Sequence, residues 1–178
     1  VLYGVDMKIV DEDGNTLPNN GEATGELKVR GPWVIADYFN LSEKAPAHAE
    51  DGWFSTGDVC AIDQDGYIWI TDRLKDVIKS GGEWISSIDL ENVAVGHPKV
   101  AEAAAIGVHH PKWDERPLLV VVPTANGQDL TKEDVLGYLE GKIAKWWMPD
   151  DVAFTKDLPH TATGKLSKLQ LRQRFKDY

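Results

Sequence analysis

The stretch Thr71-Asp72-Arg73-Leu74-Lys75-Asp76-Val77-Ile78-Lys79-Ser80-Gly81-Gly82-Glu83-Trp84-Ile85-Ser86 decides how this chain is divided. An alternating segment, Tyr67-Ile68-Trp69-Ile70, leads into it, and four of the five residues from Asp72 to Asp76 are charged. Charges at that density between two strand-like pieces do not belong to a core; they predict a polar joint. After the joint come an apolar pair, a Gly-Gly turn and a second apolar piece. That pattern predicts a β-hairpin with no side chains at its tip.

Working outward, the two sides of the joint differ in charge. Residues 1–72 hold 4 Lys and Arg against 14 Asp and Glu, and residues 73–178 hold 15 of each, so the net charge of −10 lies before Arg73. The acidic balance argues against a nucleic-acid partner. A chain of 178 residues, 42% hydrophobic and 27% charged, is long enough for one large domain or two small ones. No apolar run reaches membrane-spanning length, although this leaves peripheral membrane contact open. Cys60 is alone, which excludes an intrachain disulfide and predicts a cytoplasmic setting. The start at Val1, without an initiator Met, predicts a fragment or a processed product.

Before the joint the chain reads as β structure. Alternation over Val5–Val10 meets Asp13-Gly14, the segment Gly25–Gly31 alternates between glycines, and Asp58–Asp63 turns at Asp65-Gly66 into Tyr67–Thr71. Short strands at this spacing predict a small barrel-like or sandwich-like subdomain. Residues 40–50 are predicted to hold a brief helical turn. After the joint, Ser86 or Ser87 caps a helix over Ile88–Val95, stopped by Gly96 and Pro98. Val100–Val108 is an apolar Ala-rich run, and Leu118–Val122 is a buried type of strand. Thr131-Lys132-Glu133-Asp134 resembles a capping box and opens a helix with apolar Val135, Leu136, Leu139 and Ile143. Val152–Phe154 reads as a strand and Leu166–Phe175 as a basic helix. The fold class is therefore α+β: a small β subdomain over 1–72, a hinge at 73–76 and a compact α+β domain over 77–178.

Several residues could carry chemistry. Asp58, after Ser55-Thr56-Gly57 at a strand entrance, suits a bidentate hold on vicinal hydroxyls such as those of ribose; alternatively it caps its own turn. Arg73 can reach a ribose or phosphate oxygen, and Lys75 is an exposed charge able to serve two conformations, or both are solvated. Ser80-Gly81-Gly82 allows a backbone to approach a narrow ligand, since glycine has no Cβ. Trp84 either covers an apolar ligand arm or packs. Pro159-His160-Thr161-Ala162-Thr163-Gly164-Lys165 delivers a lysine just before a helix, where it can neutralise carboxylate and phosphate oxygens together. His97, His109, His110 and His160 lack the spacing of a zinc site, so no metal site is predicted.

Four segments in order resemble the carboxyl-terminal part of acyl-CoA synthetases in the adenylate-forming superfamily: Gly52-Trp53-Phe54-Ser55-Thr56-Gly57-Asp58; Asp65-Gly66-Tyr67 leading to Asp72-Arg73; Lys79-Ser80-Gly81-Gly82-Glu83; and Thr161-Ala162-Thr163-Gly164-Lys165. The resemblance covers essentially the whole chain. The pieces Ser80–Ser87 and Pro111–Pro117 look most like medium- and long-chain fatty acyl-CoA synthetases. The resemblance implies ATP with magnesium, the metal site lying in a large N-terminal domain, together with coenzyme A and a fatty acid. It implies that Asp58 and Arg73 hold the adenylate ribose, that Lys75 is the hinge of a rotating small domain, and that Lys165 assists adenylate formation. By the same resemblance Gly81, Gly82, Glu83 and Trp84 line the pantetheine tunnel, with Lys79 acting in that second conformation. His160 departs from the family's usual Arg or Lys. The phosphate-binding loop and acyl pocket are absent, which implies a fragment inactive by itself. Two other readings stay open: an adenylating enzyme that loads carrier-protein pantetheine, and a stand-alone, non-catalytic binding module.

Overall fold

In a computed structural model the chain is described over residues 3–35, 52–176 and 178. The helical turn expected at residues 40–50 lies outside the described residues. The contacts divide the chain into two compact units, Val1–Lys75 and Asp76–Tyr178.

The first unit is a four-stranded antiparallel sheet in chain order: β1 (Asp6–Val10), β2 (Thr24–Arg30), β3 (Phe54–Ile62) and β4 (Ile68–Arg73). Alternation puts Ile9, Leu27, Cys60 and Ile62 on one buried face, with Met7, Leu17, Ala23 and Val29 packed around them. Asp63 joins β3 to β4 by accepting the backbone N–H groups of Asp65 and Tyr67 through its side chain, at 3.0 and 2.8 Å. This accounts for the Asp-Gly turn read from the sequence. The expectation of a barrel-like subdomain is corrected to an open sheet. Among the described residues β1 and β4 pair with a single neighbour each. Closing a barrel needs both edges to meet through tilt and stagger, which four short strands do not provide.

The second unit holds β5 (Ile78–Ser80), β6 (Glu83–Ile85), α1 (Ser87–Val95), β7 (Val100–His110), β8 (Asp114–Pro123), α2 (Lys132–Leu139), β9 (Asp151–Phe154) and α3 (Lys168–Arg174), with a 3₁₀ turn at Lys145–Trp147. Its sheet runs β6-β5-β8-β7, and β9 joins β8 in parallel, Leu118 opposite Asp151 and Val121 opposite Phe154. Because side chains alternate, the sheet has two apolar faces. Ala103, Ala105, Leu119 and Val121 face a cluster with Leu90 and Ala94 of α1 and Val135 and Leu139 of α2. Ala104, Ile106, Leu118 and Val120 face Leu158 and Leu171. The continuous apolar runs of β7 and β8 follow from burial on both sides.

The helix starts match their chemistry. Ser86 Oγ accepts the Asp89 N–H at 3.1 Å, and Thr131 and Asp134 form a reciprocal capping box. Helix α2 ends at Leu139, so Ile143 lies beyond it, and the basic helix expected over Leu166–Phe175 spans Lys168–Arg174. No helix among the described residues is long and apolar enough to cross a membrane.

Candidate functional site

In the first unit, antiparallel pairing of β3 with β4 sets Asp58 directly opposite Arg73. Arg73 Nη1 donates to Asp58 Oδ1 at 2.6 Å, with the arginine side chain 54% exposed and the carboxylate 21%. The pairing is shaped by two local features. A bulge at Val59/Cys60 shifts the register of β3 against β4. Gly57 adopts φ 72°, its carbonyl accepts the Leu74 N–H at 2.9 Å, and Thr56 Oγ1 accepts the Asp58 N–H at 3.2 Å. The two residues singled out fifteen positions apart thus stand as one charged pair, with the Arg73 side chain largely in solvent. Beneath them Cys60 is fully buried, and burial, helped by the Asp58 charge, pushes its thiol up to about 11. Lys75 follows in the turn, exposed.

In the second unit, Gly81 and Gly82 form the two-residue tip of the β5–β6 hairpin with φ 62° and 84°, closed by the Ser80–Glu83 pair. Positive φ at both central positions is the I′ turn that matches strand twist. Gly81 meets a second constraint: a Cβ there would stand 2.8 Å from the Trp113 ring. Its N–H donates to the Trp113 carbonyl at 2.8 Å.

Beside this tip lies a cavity of about 580 Å³ lined by Ser80, Gly81, Glu83, Trp113, Arg116, Trp146 and Asp150. Arg116 fastens its walls together. Its Nε donates to Asp150 Oδ1 at 2.9 Å, Nη1 to Ser80 Oγ at 3.1 Å and to the Trp146 carbonyl at 3.0 Å, and Nη2 to the Met148 carbonyl at 2.8 Å. The planar five-donor fork suits such a junction. Glu115 adds a further tie by accepting the Lys79 N–H at 3.0 Å. The ladder between β5 and β8 has only the Ser80–Asp114 pair, so this carboxylate substitutes for missing strand contacts. Gly107 makes room, since a Cβ there would sit 2.4 Å from Glu115 Oε2.

The hairpin separates the residues grouped in the sequence. Gly81 and Glu83 border the cavity, whereas Lys79 and Trp84 form a cross-strand pair on the alternate face, with the ammonium 5.8 Å from the indole centroid. Sequence reasoning missed Trp146 and Asp150. The available signal was the aromatic pair Trp146-Trp147 just ahead of Pro149, a rigid turn bearing large side chains.

Lys165 is exposed on a closed loop. The Thr161 N–H donates to the Lys165 carbonyl at 2.7 Å, the Lys165 N–H to Thr161 Oγ1 at 3.2 Å, and the Ser167 N–H to the Pro159 carbonyl at 2.7 Å. Gly164, at φ 79°, provides the turn. Around it His160 and Leu166 form an isolated bridge, and His160 Nε2 lies 3.4 Å from Glu102 Oε2. A lysine on a backbone braced in this way is presented to a ligand with little loss of loop entropy. Among the described residues no three His, Cys, Asp or Glu side chains converge. They offer no donor set for a magnesium ion.

The family model described as the AMP-binding enzyme C-terminal domain matches residues 89–165 of the chain. The chain is 58% identical over 98% of its length to a 3-methylmercaptopropionyl-CoA ligase of Ruegeria pomeroyi, and 49% identical over 98% to a medium-chain-fatty-acid–CoA ligase of Ectopseudomonas oleovorans. The chain spans 32% of the length of each. The crystal structure of ATP-bound MatB from Rhodopseudomonas palustris superposes on 99% of the chain with TM-score 0.83 and 36% identity, the match covering 35% of that protein.

Proposed function

We propose that this chain is the carboxyl-terminal portion of an ATP-dependent carboxylate–CoA ligase of the fatty acyl type. In the whole enzyme a carboxylate and ATP give an acyl-adenylate and pyrophosphate, and the CoA thiol then displaces AMP to form the thioester. The observation that carries this reading is the sustained identity to two CoA ligases over 98% of the chain, which keeps every proposed site residue inside the matched span.

Each half-reaction has its own residues. For adenylation, Asp58 accepts hydrogen bonds from the ribose hydroxyls, and Arg73, now its ion-pair partner, turns toward the ribose or phosphate oxygens. Lys165 offsets the negative charge that gathers between carboxylate and phosphate as the acyl phosphate forms. For thioester formation, the side-chain-free tip at Gly81 and Gly82 lets the pantetheine arm run against backbone, with Glu83 beside it. Lys79 and Trp84, on the opposite face of the hairpin, then support the tip instead of touching that arm. Lys75 is the pivot by which one small domain serves both steps. ATP and CoA act as co-substrates.

The test uses the full-length ligase. Lys165→Ala is expected to lower ATP–pyrophosphate exchange by about 100-fold, the scale of a lost electrostatic stabiliser. Thioester formation from supplied acyl-adenylate should change by less than about threefold, within 1 kcal/mol of barrier. Equal losses in both steps would remove Lys165 from its assigned role.

A further inference from the structure

A buried ionic group behind the lysine loop has no part in the chemistry above. Lys168, the first residue of α3, is 8% exposed, and its Nζ lies 2.7 Å from Glu91 Oε1 and 2.5 Å from Ser87 Oγ, both on α1. The same Glu91 oxygen accepts the Ala105 N–H of β7 at 2.9 Å. Strand β7 is the edge of its sheet, and α1 and α3 contribute to the clusters on its opposite faces. Glu91 therefore reaches the open edge from one side and Lys168 meets it from the other. The ion pair ties the two helical layers together around the sheet edge and fixes α3 against β7.

Burying two charges is an expensive way to hold a helix, because an apolar pair of similar volume stabilises about as well. What the charged pair adds is direction: a fixed N–O distance that two apolar side chains do not impose. Lys168 stands three residues beyond Lys165, and Ser167 between them is already hydrogen-bonded to Pro159. Upstream, buried Leu158 and the His160–Glu102 contact secure the other end of the loop. Both ends of the lysine loop are thus referred to β7.

We infer that Lys168, held by Glu91 and Ser87, is a positioning residue that sets where Lys165 is presented during adenylate formation. This rests on the proposed role of Lys165. Displacement of a reacting group by about 1 Å can cost about 100-fold in rate, so the pair acts on the adenylation step and leaves the hairpin step untouched.

The experiment is a double-mutant cycle in the full-length ligase, reading ATP–pyrophosphate exchange and, separately, thioester formation from supplied acyl-adenylate. Lys168→Met is expected to lower the exchange kcat by about 10- to 100-fold, the penalty of misplacement. Its KM for ATP and its thioester step should stay within about twofold, because a group acting only in the transition state alters kcat. In a Lys165→Ala background the same substitution should cause no further loss, since it acts through the lysine already removed. Should Lys168→Met prevent folding by leaving the Glu91 carboxylate buried without its cation, Glu91→Met/Lys168→Met replaces both charges. It is expected to recover the wild-type Tm while exchange stays slow. Additive losses in the cycle, equal losses in both half-reactions, or recovery of exchange together with Tm would each overturn the inference. If Lys165→Ala itself left exchange intact, the role of Lys165 would fall and this inference with it; additivity on top of a defective Lys165→Ala would remove this inference alone.

Discussion

The Asp58–Arg73 pair is short, yet its arginine is largely in water. Exposed ion pairs contribute about 0.2–1 kcal/mol, because Coulomb attraction is weakened by solvent and both side chains lose freedom. Asp58→Asn is therefore expected to lower stability by less than about 1 kcal/mol, read from chemical denaturation. In the full-length ligase the same change should raise the KM for ATP, because an amide is a weaker acceptor for two hydroxyls than a carboxylate. A large stability loss with an unchanged KM would show that the pair is structural. Two residues beyond Asp58, Cys60 is governed by burial. With its thiol at about 11 against an ordinary 9.0, the reactive thiolate is scarce at neutral pH and sealed from reagents. Native protein at pH 8 should resist iodoacetamide on the timescale in which urea-unfolded protein is alkylated. The folded value is raised, so the stability linked to this thiol is full below pH 9 and is lost as pH climbs through about 11.

Among the elements, those whose signals are local were legible in the sequence. The Gly-Gly hairpin, the Ser86 cap and the Thr131–Asp134 box are each specified within about four residues by backbone geometry or side-chain reach. The Ala-rich run at Val100 did not show its type, because a strand buried on both faces loses the alternation that would mark it. The cavity wall was equally hidden. Arg116, Trp146 and Asp150 meet across some 30 residues of chain, and no periodicity records that. The donors of Arg116 are engaged with Asp150, Ser80 and two carbonyls. The capping box gives a measurable element. Thr131→Ala should cost about 1 kcal/mol, seen as a lowered Tm. Hydrogen bonds from Thr131 hold the Asp134 carboxyl below its ordinary 3.8. The part of the box that depends on the Asp134 carboxylate is accordingly present above that value and is lost as pH falls through the lowered one.

At the scale of the whole chain, the break in charge at Arg73 and the division at Lys75/Asp76 fall within three residues of each other. The two units differ in how they satisfy their apolar surface. Asp76–Tyr178 encloses its sheet between two helix-covered clusters, with Leu118, Leu119, Val120 and Val121 all fully buried. In the first unit, by contrast, Tyr67 just before β4 and Trp69 and Ile70 within it are 68%, 53% and 61% exposed. An edge strand of that composition seeks a partner, and a sheet with one apolar cluster has little else to hold it. Expressed separately, residues 76–178 should unfold in one cooperative urea transition with coincident fluorescence and circular dichroism curves. Residues 1–75 should bind a hydrophobic dye or self-associate, and Trp69→Lys should reduce both by charging the exposed edge. A broad, probe-dependent transition for 76–178 would mean that its two-faced core depends on the preceding unit, and the joint at Arg73–Asp76 would then no longer separate independent folding units.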